Sequence, residues 1–129
     1  MKRYIFLMFF LLLISCSNIN RISTINNFEK NKIFKEVIKV QEEIIDLAKI
    51  DNKDEIKKRI TTTLRNQIIL LSLSKYDLSK FLIFFSKEID IINTNTVKSI
   101  LLLNYETETM YFDVIWKKYN DKWMIDSVE

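Results

Sequence analysis

Three residue types are missing from this 129-residue chain, which has no glycine, no proline and no histidine. Cysteine occurs once, as Cys16, and alanine once, as Ala48. Each absence removes a class of function. Without histidine there is no Ser-His-Asp triad, no Cys-His pair and no imidazole-ligated metal. Without glycine there is no phosphate-cradling glycine loop and no glycine-containing calcium loop. One cysteine cannot form an intrachain disulfide framework. Collagen-like and proline-rich material is excluded as well.

Isoleucine (21), lysine (16) and asparagine (11) are abundant instead. An AT-rich coding sequence imposes such a skew, so the placement of apolar residues carries more information than their number. With 48% hydrophobic and 29% charged residues, the chain has enough apolar surface to fold. Its length suits one domain.

The amino terminus is the most specific segment. Lys2 and Arg3 precede an uninterrupted apolar run, Tyr4 to Ile14. These eleven residues are too few to span a bilayer, which takes about 20, but they match the core of a secretory signal peptide. The run ends in Leu13-Ile14-Ser15-Cys16. This segment resembles the bacterial lipobox: an aliphatic residue, a tolerant position, a small residue and then cysteine. The resemblance implies that residues 1–15 are a lipoprotein signal peptide, removed by a peptidase that cuts before Cys16. Cys16 would then carry a diacylglycerol on its sulfur and become the lipid-bearing first residue. Several acyl chains, at about 0.8 kcal/mol per buried methylene, hold far more stably than one.

Cleavage would remove Lys2 and Arg3, leaving 18 basic against 17 acidic residues. A near-neutral domain outside the cytoplasm gives no support for nucleic-acid binding. Residues 17–25 (SNINRISTI) lack a sustained period and read as a tether. Nine residues reach at most roughly 30 Å. The expected location is therefore the bacterial cell envelope, outside the cytoplasm, on the inner or the outer membrane.

Residues 26–129 read as a single α+β domain. Asn26-x-x-Glu29 has the form of a helix start. Phe34, Val37, Ile38, Gln41, Ile44, Ile45 and Ala48 follow at helical steps, predicting a helix over 27–50. Asn52-x-x-Glu55 can cap a second helix, in which Ile56, Ile60, Thr63, Leu64, Ile68 and Leu71 share a face. Its weak point is the β-branched run Thr61-Thr62-Thr63. Ser74-x-x-Asp77 can cap a third helix carrying Leu78, Phe81, Leu82 and Phe85, although Ile83 and Phe84 make the segment apolar all round, as a buried helix or a strand would be.

From Val97 the period becomes two. Val97, Ser99, Leu101, Leu103 and Tyr105 mark one strand. Met110, Phe112, Val114 and Trp116 mark the dry face of the next. Asn120-Asp121 tolerates positive φ and turns the chain into Lys122 to Val128. A fourth short strand would lie near Ile89 to Ile92. The expectation is two or three N-terminal helices packed on a C-terminal antiparallel meander of three to four strands.

The ending Phe112-Asp-Val-Ile-Trp-Lys-Lys-Tyr-Asn-Asp-Lys-Trp123-Met-Ile125-Asp-Ser-Val resembles the last hairpin of nuclear-transport-factor-two-like domains. That resemblance implies a cone, with a curved sheet wrapped over helices and often a cavity inside. Enzymatic members place Asp, His or Tyr there. Here Asp113, beside Tyr111, is the only mid-strand carboxylate, and it reads as a solvated residue opposite a lysine. Glu106 and Glu108 read as turn charges, and Trp116 and Trp123 as core. Lys117, Lys118 and Lys122 read as a soluble hairpin tip that could also touch anionic headgroups, and Phe81 to Phe85 as core helix.

No catalytic, cofactor-binding or metal residue is expected; the one site residue is Cys16. The residues favour a lipid-anchored, non-catalytic binding or interaction module, reaching the membrane through Cys16 and taking a small apolar ligand or an envelope protein. The alternative is an envelope enzyme with a carboxylate acid–base site in a conical cavity. Oligomeric state stays open.

Overall fold

The first helix starts where its first free amide is capped: Asn26 Oδ1 accepts the Glu29 N–H at 2.8 Å. A computed structural model describes residues 25–129. The signal segment 1–15, Cys16 and the tether up to residue 24 lie outside the described residues. Helix α1 spans Asn27–Lys49 and buries Ile33, Val37, Gln41, Ile44 and Ala48. Its apolar face is rotated from the expected one at the N-terminal end, where Ile33 is buried and Phe34 is exposed.

Helix α1 ends at Lys49 with Ile50 as its cap; Asp51 follows with positive φ (53°), and Asn52 caps the short helix α2, Lys53–Lys57. The expected second helix does not continue through the threonines. The β-branched run extends instead, and Ile60 bridges Ile125 in parallel while Thr61 N–H bonds Ile125 C=O at 2.9 Å. A new helix, α3 (Leu64–Leu73), begins at the Thr63 cap. The Arg59 to Thr61 segment covers part of the free edge of the last strand, an edge that would otherwise invite pairing with another chain.

The expected third helix is a correction. Asp77 caps only a single 3₁₀ turn, Leu78–Lys80, and Leu82–Phe85 is strand β1. β-Branched and aromatic side chains fit a pleated surface, and Leu82 to Phe85 finds a partner in β3 (Thr96–Tyr105), with Leu82 opposite Asn104 and Phe85 opposite Leu101. Strand β2, Asp90–Asn93, pairs with the other half of the same β3 edge. β1 and β2 thus form one interrupted edge strand, broken between Ser86 and Ile89. β4 (Glu108–Tyr119) and β5 (Lys122–Val128) complete the antiparallel sheet, ordered β1-β3-β4-β5. The fold is α+β, with five strands where three to four were expected.

Both tight turns follow from residues that stand in for glycine. Asn120 and Asp121 have φ of 48° and 62°, the pair of positive values a type I′ turn needs. Glu106 (φ 54°) opens the β3–β4 turn. The helices lie on one sheet face, and Val37, Ile44, Val97, Val114, Trp116, Trp123 and Ile125 form the core between the layers.

Candidate functional site

The sheet face turned toward α1 is filled rather than hollow. Trp116 is 0% exposed, and its Nε1–H donates to Ser99 Oγ at 2.8 Å. Gln41 Nε2 of α1 donates to the same hydroxyl at 3.2 Å. These buried polar groups satisfy one another across the layers, as buried polar atoms must. The indole fills the space between α1 and the sheet. Trp123 is also buried, so both tryptophans are core.

Asp113 lies on the opposite sheet face, in line with Tyr111 and Ile115. Its carboxylate pairs with Lys98 Nζ at 2.8 Å, and this bond and charge raise the Lys98 pKa. The Asp113 carboxylate is about half exposed and engaged in this ion pair. Glu106 and Glu108 flank the exposed β3–β4 turn. Among the described residues, no group of three or more potential ligands could hold a metal ion.

At the other hairpin the lysines are largely matched. Lys117 pairs with Asp126 at 3.2 Å and Lys118 with Glu36 at 2.9 Å. Glu36 is a residue the periodic pattern did not single out. Its Oε2 also accepts Trp123 Nε1–H at 2.8 Å, so it clasps α1 to the hairpin. Partial burial pushes its pKa up, but the bonds from Trp123 and Lys118 and the charges of Lys118 and Lys32 outweigh that, and the pKa lies below the ordinary carboxylate value. Asn66 was likewise not singled out. Fully buried on α3, it donates to Thr61 C=O (3.0 Å), Thr61 Oγ1 (2.8 Å) and Asp126 C=O (2.9 Å), and so fixes α3 to β5.

Beyond Phe28, Phe34 and Ile50 on and just after α1, two surfaces group large apolar side chains in solvent. On the outer sheet face these are Leu82, Phe84, Ile100 and Tyr111; Phe84 sits opposite Leu102, and Leu102 opposite Tyr111, in one cross-strand row. The expected core helix at Phe81 to Phe85 is thus a strand with one side open. The second surface is α3, where Leu64, Ile68 and Leu71 point outward. A depression of about 440 Å³ beside the start of α3, lined by Lys57, Thr61, Thr62 and Tyr119 among others, is open to solvent and does not enclose a ligand.

Comparison with family models, with characterised proteins and with solved structures finds no match to this chain. Cys16, the one expected site residue, lies outside the described residues. None of the described helices is long and apolar enough to cross a membrane.

Proposed function

We propose that this chain is a lipid-anchored protein of the bacterial cell envelope, held through Cys16, whose domain is a binding or interaction module rather than a catalyst. The run Leu13-Ile14-Ser15-Cys16, at the end of the eleven-residue apolar stretch that follows a charged start, carries the anchor. The module reading is supported by the filled interior at Trp116, by the pairing of Asp113 with Lys98, and by the exposed apolar side chains. Apolar patches rimmed by polar residues mark interaction surfaces. With the indole occupying the interior, an envelope protein or a surface is a better fit than an enclosed apolar ligand.

The test is metabolic labelling with palmitate. The native chain incorporates the label and Cys16→Ser does not, accumulating as an unprocessed or released form. Label retained by the Cys16→Ser chain would contradict the anchor.

A further inference from the structure

We propose that the outward stripe of α3 docks on the anionic lipid surface beside the anchor, so that the domain lies against the membrane with α3 in the interface. This rests on the anchored reading above, which sets the distance. Ile25 packs against the core, so the tether is the eight residues 17–24, which reach at most roughly 29 Å, and a domain of this size has a radius of gyration of roughly 13 Å. A tether of that reach keeps the domain against the bilayer, and surface chemistry decides which face meets it.

The helix itself gives the first argument. Leu64, Ile68 and Leu71 follow one another at four- and three-residue steps, on one line along α3, and are 87%, 72% and 66% exposed. The other side of α3 is already occupied: Ile69, Leu70 and Leu73 pack against the core, and Asn66 bonds Asp126 C=O. A helix that is apolar on both sides needs an apolar environment on both. Protein supplies one, and the boundary between headgroups and acyl chains supplies the other.

Charge gives the second. Residues 56–76 contain five basic residues (Lys57, Lys58, Arg59, Arg65 and Lys75) and no acidic one. Lys58, Arg59 and Arg65 are matched by Glu55, Glu43 and Glu129. Lys57 instead bonds the Ser74 hydroxyl at 2.9 Å, and neither it nor Lys75 has a carboxylate partner among the described residues. Two ammonium groups thus sit at the C-terminal end of the stripe, where anionic headgroups would attract them. The outer sheet face is apolar too, but Asp90, Asp113 and Asp126 alternate there with Lys98 and Lys117, which gives no net attraction to such a surface. Two copies of α3 placed face to face would bring like charges together.

The experiment uses the full lipidated chain, purified and reconstituted in vesicles of phosphatidylethanolamine and phosphatidylglycerol. A spin label is placed at Leu71→Cys or, in a second variant, at Ile68→Cys, with Tyr111→Cys as the control on the sheet. The lipid on Cys16 leaves the new thiol as the only reactive one. On these vesicles the labels at 68 and 71 lose contact with a water-soluble relaxant and gain contact with a lipid-soluble one, while the label at 111 stays in water. Adding Lys57→Glu and Lys75→Glu returns the labels at 68 and 71 to water without altering the circular dichroism. Labels at 68 and 71 that stay in water, or a shielded label at 111, would overturn the proposal. So would shielding from the aqueous relaxant without contact to the lipid-borne one, which would mean that a second copy or residues 16–24 cover the stripe. The mass of Cys16 reads the anchor separately. A fatty-acylated chain with α3 in water sinks the docking alone, and an unacylated chain with α3 in lipid sinks the anchor alone.

Discussion

In a chain without glycine, positive φ among the described residues falls to Asp51, Glu106, Asn120 and Asp121. Asn and Asp tolerate the left-handed region because their short side chains bond locally. Glu106 has no such help, and its side chain makes no ion pair or hydrogen bond among those described. Glu106→Gly is therefore expected to stabilise the domain by about 1 kcal/mol, the lower end of the left-handed penalty, read as a raised thermal midpoint. Asp51→Gly should not, although the backbone relief is the same. Asp51 Oδ1 accepts the Leu78 N–H at 2.8 Å and Oδ2 pairs with Lys53 at 3.4 Å, so the substitution leaves a half-buried amide without its acceptor. An Asp51→Gly domain as stabilised as Glu106→Gly would show that these bonds contribute nothing.

At the scale of elements, what could be read from sequence depended on whether the pattern was local. Helix α1 and the β3–β4–β5 meander were legible because cap, period and turn residues agreed with one another. Asn120-Asp121 named its own turn. The segment from Ser74 to Phe85 has helical spacing but an all-round apolar end that fits helix or strand alike, and its decisive partner, the far half of β3, is some twenty residues away. No local period reports that pairing. The misreading of α3 is more instructive. Leu64, Ile68 and Leu71 continue the helical spacing of Ile56 and Ile60, yet only the latter two are buried. Spacing identifies an apolar face; it does not say what covers it.

The Gln41, Ser99 and Trp116 cluster joins α1 to the sheet; each of the three lies on an apolar face legible in the sequence, but no local pattern reports that they bond one another. Trp116→Ala is expected to cost about 3–5 kcal/mol. Ser99→Ala should cost about 1–3 kcal/mol by stranding the indole N–H and the Gln41 amide. Because both changes remove the same bond, the double variant should fall short of the sum of the singles. Additive losses in denaturant titrations would mean that the hydroxyl does not couple the layers.

For the molecule as a whole, the three described helices sit on one side of the sheet, and the hairpin end of α1 is held by side chains that reach across. Glu36 is the charged member of that hold, receiving Trp123 Nε1–H and Lys118 Nζ on one oxygen. Its folded pKa is depressed below the ordinary value of about 4.5, so the unfolded chain takes up a proton first as the medium is acidified. Linkage then fixes the sign: the contribution is fully present above the unfolded value and is lost as pH falls through the folded one. Asp77, held low by its bonds from Ser79, acts in the same direction, but it is exposed and does not join two layers. The thermal midpoint should therefore drop as pH is lowered from about 6 to about 3, and Glu36→Gln should lower the midpoint at neutral pH while making that acid drop shallower. Hydrogen exchange locates the effect: in Glu36→Gln the first turns of α1 and the Tyr119 to Lys122 hairpin lose protection before the β3–β4 ladder does. An acid limb equally steep in the two proteins would assign the pH dependence to other carboxylates and leave Glu36 a packing residue.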